Sequence, residues 1–319
     1  MKLIFELWGE HPDIPRAEIS CLGKVTDHRL QVAIADVNDP EQLSRLAYTH
    51  QVMRYLGECP ADETSFITLL KELDLACDLP FCGRVKKMAG NRMDASTQSL
   101  ERLIGQYVRG VVSVSAPQIR YRAIVSEDRL YFGEVIWEIE RDPYHDRKPG
   151  NREFFHPGVM MPRMVRSLVN LAHAMPSEIV LDPFCGTGGT LIEAGMIGCH
   201  AVGTDADPFM IRGTRINLPG AEAFVADARH LPFPDRSIDH VVSDLPYGQS
   251  VMIVSDGLDN LYQEALSEIH RVTKPDSRSV IVTHQDIRPL VSQYLTIADF
   301  YEQRVHRSLT RRVLVLLNR

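Results

Sequence analysis

The sequence predicts an α/β protein whose C-terminal half contains a mostly parallel sheet and follows one or two small α+β units. The second half alternates short apolar strands with helices at intervals of about 20 residues, which is typical of βαβ units. The first half contains strands and helices without that alternation. A chain of 319 residues, 44% hydrophobic and 24% charged, has room for about two domains and is neither disordered nor fibrous.

Apolar alternation and helical spacing predict the elements of the first half. Strands are predicted over 3–8, 31–35, 110–115, 119–125 and 130–136. Helices are predicted over 40–56, 63–75 and 96–109. Residues 141–157 are polar and rich in proline and arginine, which is typical of a linker between domains.

Short apolar runs in the second half predict the strands of one sheet. Strands are predicted over 178–182, 200–205, 223–227, 238–244 and 279–283. Helices are predicted over 190–198, 208–218 and 257–274. The last 20 residues predict two further strands joined by a tight turn near Ser308–Thr310. The alternation in this half indicates helices covering a parallel sheet.

Charge is distributed unevenly along the chain, although the net charge is -7. Residues 81–125 hold eight basic and two acidic side chains, a net +6, and residues 302–319 carry a net +4. These two segments indicate either a local nucleic-acid footprint or ordinary solvated faces, and charge alone leaves both open.

The composition excludes several other classes of protein. No apolar run reaches the roughly 18 residues of a membrane span, and the N-terminus has no apolar region of signal-peptide length. The six cysteines form no C-x-x-C pair, so neither a zinc ribbon nor a redox pair is indicated, and no metal site is predicted. Free thiols indicate a reducing cytoplasm as the location.

The first chemical motif is a glycine-rich turn over 182–190, between a predicted strand and a predicted helix. Glycines let a ligand approach the backbone closely, and the helix N-terminus offers free N–H donors. A dinucleotide-binding turn needs a third glycine where Leu191 stands, and a P-loop needs a G-K-[ST] sequence that is absent here. Both a dehydrogenase and a P-loop nucleotidase are therefore disfavoured.

Acidic side chains end three successive strands of this half. Asp182 precedes the glycine turn, Asp205 ends the next strand, and Asp227 ends the third. Each acid alone could be a helix N-cap. Together they are expected at the carboxyl edge of a parallel sheet, where open α/β folds bind ligands. There Asp205 can accept bonds from both hydroxyls of a ribose, and Asp227 can accept a bond from an adenine amino group.

The motif that decides between the enzyme classes is S-D-L-P-Y-G at 243–248, after the fourth strand. A carboxylate and a backbone carbonyl accept hydrogen bonds from the two N–H groups of a planar amine, and the aromatic ring stacks on the base. A turn with a core tyrosine is the simpler alternative.

At these residues the chain resembles the S-adenosylmethionine-dependent N-methyltransferases of amino groups, whose motif is [DNS]-P-P-[YFW]. Residues 156–172, 182–195 and 243–250, with the closing S-L-T-R-R-V segment, are similar to the archaeal tRNA (guanine-10-N2) methyltransferases. The resemblance implies a Rossmann-like methyltransferase domain at 158–319, after a ferredoxin-like unit at 1–60, a THUMP RNA-binding domain at 61–140 and the linker at 141–157.

The resemblance also implies the residues of the site. The catalytic group that holds the guanine comprises Asp244, Leu245, Pro246 and Tyr247. The S-adenosylmethionine-binding group comprises Pro157, Met161, Pro162, Asp182, Phe184, Gly186, Thr187, Gly188, Asp205, Ala206, Asp227, Ala228 and Asp244. The RNA-binding cations are Arg84, Lys86, Lys87, Arg92, Arg109, Arg120 and Arg122. The partners are tRNA and, as in some relatives, a small zinc-binding activator subunit.

One position departs from the family motif, because Leu245 stands where the family has proline. Its carbonyl is retained but the loop loses rigidity, so we expect Leu245→Pro to hold or raise activity. Three alternatives stay open at this point: a guanine N2-methyltransferase acting at another tRNA position or on rRNA, a THUMP RNA-binding protein with weak activity, and a DNA adenine methyltransferase. The last leaves the basic N-terminal segment unexplained.

Overall fold

A computed structural model describes residues 1–140, 142–248, 257–307 and 309–318 of the chain. The chain forms two compact units, Met1–Ile139 and Glu140–Arg319. The mixed α/β class predicted from the sequence is confirmed. In the part of the chain described, no helix has both the length and the apolar character needed to cross a membrane.

The first unit contains one eight-stranded mixed sheet in the order β2-β3-β1-β4-β8-β7-β5-β6. Its strands are β1 (Lys2–Leu7), β2 (Gly23–Arg29), β3 (Val32–Val37), β4 (Thr49–Pro60), β5 (Ala76–Lys87), β6 (Arg109–Val112), β7 (Ile119–Ser126) and β8 (Arg129–Glu138). Its helices are α1 (Ile14–Ala17), α2 (Glu63–Leu73) and α3 (Thr97–Tyr107), with 3-10 turns at Glu18–Cys21 and Pro40–Arg45.

Helices α2 and α3 begin at side-chain caps and bury one face each. Asp62 accepts a hydrogen bond from the Ser65 amide at 2.8 Å, and Ser96 accepts one from the Ser99 amide at 3.1 Å. Apolar side chains three or four residues apart, such as Phe66 and Leu70 of α2, then face the sheet.

The predicted helix over 40–56 is wrong. Residues 40–45 form a 3-10 turn and Thr49–Pro60 form β4. Strand β4 pairs antiparallel with β1 on one side and β8 on the other, with Met53 opposite both Ile4 and Val135. Pairing along both edges satisfies its backbone groups, and this tertiary effect overrides a weak local helical pattern.

The second unit contains a seven-stranded sheet in the order β11-β10-β9-β12-β13-β15-β14. Its strands are β9 (Ile179–Asp182), β10 (His200–Asp205), β11 (Glu222–Val225), β12 (His240–Asp244), β13 (Arg278–Thr283), β14 (Thr296–His306) and β15 (Leu309–Leu317). Its helices are α4 (Asp142–Asp146), α5 (Pro162–Leu171), α6 (Gly189–Ile197), α7 (Pro208–Asn217), α8 (Leu258–Val272) and α9 (Arg288–Val291), with a 3-10 turn at Pro149–Asn151.

This sheet is parallel except for β15, which runs antiparallel to both β13 and β14. Its core lies between the sheet and helices such as α8, where Tyr262 and Leu266 pack with Leu181 and Val241. The predicted strands and helices of this half are each found within a few residues. The predicted turn near Ser308–Thr310 includes Ser308, which lies outside the described residues.

Residues 142–157, predicted as a linker, pack within the second unit. The Arg147 Nε atom donates to Glu193 of α6 at 2.8 Å, and the Phe154 amide donates to Asn217 of α7 at 2.9 Å. The segment therefore lies against two helices of the sheet domain. In the first unit, a single sheet contains strands from both predicted parts, 1–60 and 61–140, and their separation stays a prediction.

Candidate cofactor and base-binding site

A cavity of about 620 Å³ lies in the second unit, at the carboxyl ends of the parallel strands. Topology explains its position, because β9, β10 and β12 are neighbours and each ends in an aspartate. Most of the predicted cofactor and catalytic residues line it. They are Pro157, Asp182, Phe184, Gly186, Thr187, Asp205, Ala206, Asp227, Ala228, Asp244, Leu245, Pro246 and Tyr247.

Asp182 ends β9 and is 3% exposed. Its Oδ1 atom accepts bonds from the Ser243 hydroxyl at 2.6 Å and the Phe184 amide at 3.1 Å. Burial raises the pKa of Asp182 to about 6, although these hydrogen bonds oppose the shift. Since Ser243 lies directly before Asp244, this contact joins the glycine turn to the predicted catalytic motif.

The turn after Asp182 requires glycine at two positions. Gly186 has a φ of 51° and Gly188 a φ of 83°, in the left-handed region that other residues avoid. Nothing lies within 4 Å of a Cβ built on Gly186, so the backbone there is open to a ligand. A Cβ on Gly188 would lie 3.0 Å from Thr214, so Gly188 packs closely against α7. Gly188 shapes the turn but does not line the cavity.

Asp205 holds the glycine turn and faces the cavity. Its two oxygens accept bonds from the Gly186 and Asp207 amides, both at 2.9 Å. Burial raises the pKa of Asp205. Each oxygen accepts one bond there, so one lone pair on each stays available to a pair of hydroxyl donors.

Asp227 follows β11 and is paired with Arg229. The guanidinium donates to both carboxylate oxygens at 2.7–3.0 Å. These bonds hold the pKa of Asp227 below its usual range. Arg229 therefore orients Asp227, the predicted adenine acceptor, and keeps its carboxylate ionised. Both residues line the cavity.

Asp244 and Tyr247 form the centre of the predicted catalytic motif. The Tyr247 hydroxyl donates to Asp244 Oδ1 at 2.8 Å. Burial raises the pKa of Asp244 to about 7, against the opposing effects of Tyr247 and Arg311. Burial also raises the pKa of Tyr247, which keeps that hydroxyl protonated as a donor. This carboxylate therefore titrates near neutral pH beside the cavity.

Leu245 has a structural role that proline could not fill. Its amide donates to the Val282 carbonyl of β13 at 2.9 Å, and its side chain is 1% exposed within the core. The next carbonyl, of Pro246, accepts the Tyr262 hydroxyl at 2.5 Å. Because Leu245→Pro would remove an amide donor, we revise our expectation for it from equal or higher activity to a loss.

Besides Gly188, two predicted cofactor residues lie outside the cavity wall. Met161 is 48% exposed as the N-cap of α5, and Pro162 is buried as the first residue of that helix. The preceding residues, 156–160, line the cavity instead. The segment reaches the site through residues 156–160 and through Val165 in the first turn of α5.

Two residues that sequence reasoning did not assign lie beside Tyr247. The His284 ring is 4.8 Å from the Tyr247 ring, and Arg311 lowers the pKa of both Asp244 and Tyr247. In the described chain, His284 Nδ1 and Arg311 Nε are buried without a hydrogen-bond partner. The antiparallel register, with Thr283 opposite Arg312, brings both residues to the same sheet edge. The only sequence signal was the S-L-T-R-R-V segment.

Most of the predicted RNA-binding cations of the first unit contact acceptors of that unit. Lys86 and Arg122 each lie 2.7 Å from the carboxylate of Glu6, which is 2% exposed. Burial alone would raise the pKa of Glu6, but these two cations outweigh it and lower the pKa. Other contacts join Lys87 to the Met93 and Ala95 carbonyls, Arg109 to Asp74 and Arg120 to Glu138.

Arg84 and Arg92 differ from these five cations. Arg92 is exposed, and the half-buried Arg84 donates to its neighbouring Gly83 carbonyl. Arg102, in the same basic segment, is exposed on α3. Within the described residues none of the three has an ion-pair partner at salt-bridge distance. They are therefore the segment's cations with charge available to an external anion.

The strand order, with an antiparallel strand between β13 and β14, and the glycine turn at the cavity define a methyltransferase that uses S-adenosylmethionine. The family model described as "RMKL-like, methyltransferase domain" matches residues 149–313. The chain belongs to this family and, within it, to the group of archaeal tRNA (guanine(10)-N2)-dimethyltransferases, as the sequence resemblance predicted.

Two curated relatives match nearly the whole chain. The tRNA (guanine(10)-N2)-dimethyltransferase of Methanothermobacter thermautotrophicus is 30% identical over 99% of both chains. That of Pyrococcus abyssi is 30% identical over 96% of both. Among solved structures, TrmN from Thermus thermophilus is 19% identical with a TM-score of 0.53, covering 99% of each chain. This likeness supports the shared fold.

Proposed function

We propose that the protein transfers a methyl group from S-adenosylmethionine to the exocyclic N2 amine of guanosine 10 in tRNA, once or twice. The observation that carries this proposal is the Asp244–Tyr247 pair beside the cavity, because it offers an amine acceptor and an aromatic ring together. The names of the archaeal relatives, which match this chain over nearly its whole length, supply the nucleotide and the second methylation.

The cavity fits the cofactor. Gly186 leaves open space for a ligand against its backbone, and Asp205 keeps acceptor capacity for ribose hydroxyls. Asp227 and Ala228 line the same cavity as Asp205, which supports an adenine contact there when the ribose is held at Asp205. When bound, S-adenosylmethionine supplies an electrophilic methyl carbon, and the protein then has to place the amine in line with it and exclude water.

Asp244 would accept a hydrogen bond from the guanine amine as positive charge develops on the nitrogen. Its pKa of about 7 suits a general base at neutral pH, since a carboxylate with an ordinary pKa would be a weaker proton acceptor. The Tyr247 hydroxyl fixes the orientation of the carboxylate, leaving Oδ2 for the amine. Asp244 can then take the proton directly or through water.

The base would be held by Tyr247 and the backbone after Asp244. Stacking of a base on an aromatic ring contributes roughly 1–3 kcal/mol. The Leu245 carbonyl can accept a hydrogen bond from the second N–H of the amine, and the hydrogen bond from the Leu245 amide to the Val282 carbonyl fixes the backbone just before it. Because the target base is stacked within a folded RNA, it must leave its stack to reach this site.

The N-terminal unit would bind tRNA through shape and phosphate contacts. Arg84, Arg92 and Arg102 are the cations of the basic segment that we assign to this contact, because they carry no internal ion pair among the described residues. A cytoplasmic location and a small zinc-binding activator subunit stay predictions from the sequence. Full activity of the isolated chain would show that no activator is needed.

The direct test is mass spectrometry of tRNA nucleosides after incubation with the protein and S-adenosylmethionine. We expect N2-methylguanosine and then N2,N2-dimethylguanosine in tRNA that has guanosine at position 10. The matched control is the same transcript with adenosine at position 10. Methylation of that control would move the site elsewhere in tRNA. Methylation of rRNA alone would show that rRNA, and not tRNA, is the substrate. Cofactor binding without turnover on any RNA would favour an RNA-binding role.

A further inference from the structure

A row of three polar side chains crosses the end of the sheet beside the Asp244–Tyr247 motif. Thr283 of β13 is opposite Arg312 of β15, so the next residues along these antiparallel strands, His284 and Arg311, are neighbours. On the other side of β15, Arg311 is opposite Gln303 of β14. The His284 ring lies 4.8 Å from the tyrosine ring of the motif, so the row meets the motif at this histidine.

Each member of the row has a buried polar atom without a hydrogen-bond partner among the described residues. These atoms are His284 Nδ1, Gln303 Oε1 and Arg311 Nε. The adjacent Arg312 differs, because it pairs with Glu302 at 3.0 Å and donates to the His284 carbonyl. Buried polar groups are normally paired, so three such atoms in one row call for a functional explanation.

Arg311 supplies the positive charge that acts on Asp244. Burial is the largest influence on the pKa of Asp244 and raises it, and the Asp182 carboxylate adds to this effect, whereas Tyr247 and Arg311 oppose it. Tyr262 of α8 is nearby as a neutral hydroxyl, because burial raises its pKa to about 12. In the parts of the chain that the structure describes, Arg311 lies at salt-bridge distance from no carboxylate.

The Tyr247 hydroxyl connects this cation to the carboxylate. A phenol has one proton to donate, whereas a guanidinium can donate but cannot accept. Since the Tyr247 hydroxyl donates to Asp244 Oδ1 at 2.8 Å, its oxygen is left to accept a bond from Arg311. Burial and Asp244 raise the pKa of Tyr247 while Arg311 lowers it, as a donor at that oxygen would. Burial and Arg312 lower the pKa of His284, so its ring is neutral beside the tyrosine.

We propose that Arg311 is a positioning residue of the methyl-transfer site. It donates to the Tyr247 oxygen, which directs the single tyrosine proton to Asp244 Oδ1 and leaves Oδ2 for the amine. His284 packs on the tyrosine ring and holds its plane. The inference rests on the proposed function only in taking an amine as the group that Asp244 receives.

Titration of the unliganded protein tests this arrangement. Carbon-13 NMR of protein labelled at the aspartate carboxyls follows Asp244, whose signal is identified by its loss in Asp244→Asn. We expect Arg311→Met to move the midpoint to higher pH by about one pH unit, because a nearby opposite charge is removed. In a Tyr247→Phe background the same change should move it by less than about half as much, since the contact runs through the hydroxyl. Equal shifts in both backgrounds, or no shift, would overturn the proposal.

Two further variants secure this result. Arg304→Met removes an exposed cation from the neighbouring strand β14 and should leave the midpoint where it is. A midpoint that moves as far in Arg304→Met as in Arg311→Met would reduce the effect to net charge and overturn the proposal. Arg311→Gln is neutral but keeps a polar side chain at a half-buried position, so it takes the place of Arg311→Met if that variant folds poorly. Its midpoint should also rise, and should rise less in the Tyr247→Phe background.

The pH dependence of single-turnover methylation separates positioning from a general loss of structure. Below about pH 6 we expect Arg311→Met to react about tenfold more slowly than the wild type, because a midpoint higher by about one pH unit lowers the ionised fraction tenfold. Above about pH 9 the two rates should converge. An equal loss at every pH would indicate a structural role and contradict the proposal. The NMR titration uses neither RNA nor cofactor, so the expected midpoints in a protein that fails to methylate tRNA would contradict the proposed function alone.

Discussion

In the C-terminal unit the acidic residues at strand ends meet at one cavity, whereas in the N-terminal unit most predicted RNA-binding cations contact the unit's own acceptors. Asp182, Asp205 and Asp244 end neighbouring parallel strands, so sheet topology alone brings them together. Lys86 and Arg122 are also neighbours across paired strands, but they enclose the buried Glu6. In this chain a charge at the end of a parallel strand therefore specifies where the side chain lies in the fold, whereas a charge count does not.

The largest effect that would test this contrast is expected at Asp244. Asp244→Ala removes the acceptor of the amine proton, so we expect methyl transfer in single-turnover assays to fall by about 10²–10⁴-fold. Affinity for S-adenosylhomocysteine should stay nearly unchanged, since the contact strengthens only as the amine gains charge. Transfer at the wild-type rate would remove Asp244 from the chemistry.

In the N-terminal unit the expected loss is of stability. Arg122→Met leaves the buried Glu6 carboxylate with Lys86 alone, and breaking such a pair costs about 3–5 kcal/mol. Denaturant unfolding should record that loss, and adding Glu6→Gln should recover part of it. A variant as stable as the wild type but weaker in tRNA binding would show that Arg122 serves the RNA.

Leu245→Pro tests whether the departure from the family motif is adapted to this fold. The change removes the hydrogen bond from the Leu245 amide to the Val282 carbonyl and replaces a buried side chain. We therefore expect a stability loss of about 1–3 kcal/mol together with lower turnover. Leu245→Met, which keeps the amide and nearly the volume, is the matched control. Higher activity in the proline variant would instead indicate that loop rigidity limits the activity of the wild type.

The pH dependence of the reaction should report on Asp244. The carboxylate must be ionised to accept the amine proton, so the rate should rise with pH through about 7. Tyr247→Phe keeps the ring but removes the hydrogen bond that lowers this pKa, and the rise should move to higher pH. In the unliganded protein, protonated Asp244 stabilises the fold at low pH, and this contribution should be lost as pH rises through about 7. A rate independent of pH in this range would contradict the base assignment.

The smallest expected effect concerns the exposed cations. Arg92→Gln with Arg102→Gln should weaken tRNA binding and reduce the slope of log affinity against log salt by about one to two. Stability and cofactor affinity should not change, because both side chains are exposed. The matched control is Lys71→Gln, because Lys71 is also exposed, whereas Arg45 is buried and would be unsuitable. An unaltered salt slope would favour solvated faces over an RNA contact.

The C-terminal fold and most of its cavity are predictable from the amino-acid sequence alone. Strand–helix alternation predicts a parallel sheet, and parallel strands must end at one edge, so the order of residues suffices to place Asp182, Asp205 and Asp244 together. The glycine turn is equally readable, since Gly186 adopts a backbone conformation that other residues avoid. These features depend on local chemistry and on one topological rule.

Long-range partners, in contrast, are defined only by the packing of the folded chain. Strand β4 replaces a predicted helix because β1 and β8 pair with both its edges. Arg147 donates to Glu193 of α6 from a segment predicted as a linker, and Arg311 acts on Asp244 from the last strand. The burial of Glu6 determines the role of Lys86, 80 residues away. Such contacts depend on packing between distant segments, which no local pattern in the sequence specifies.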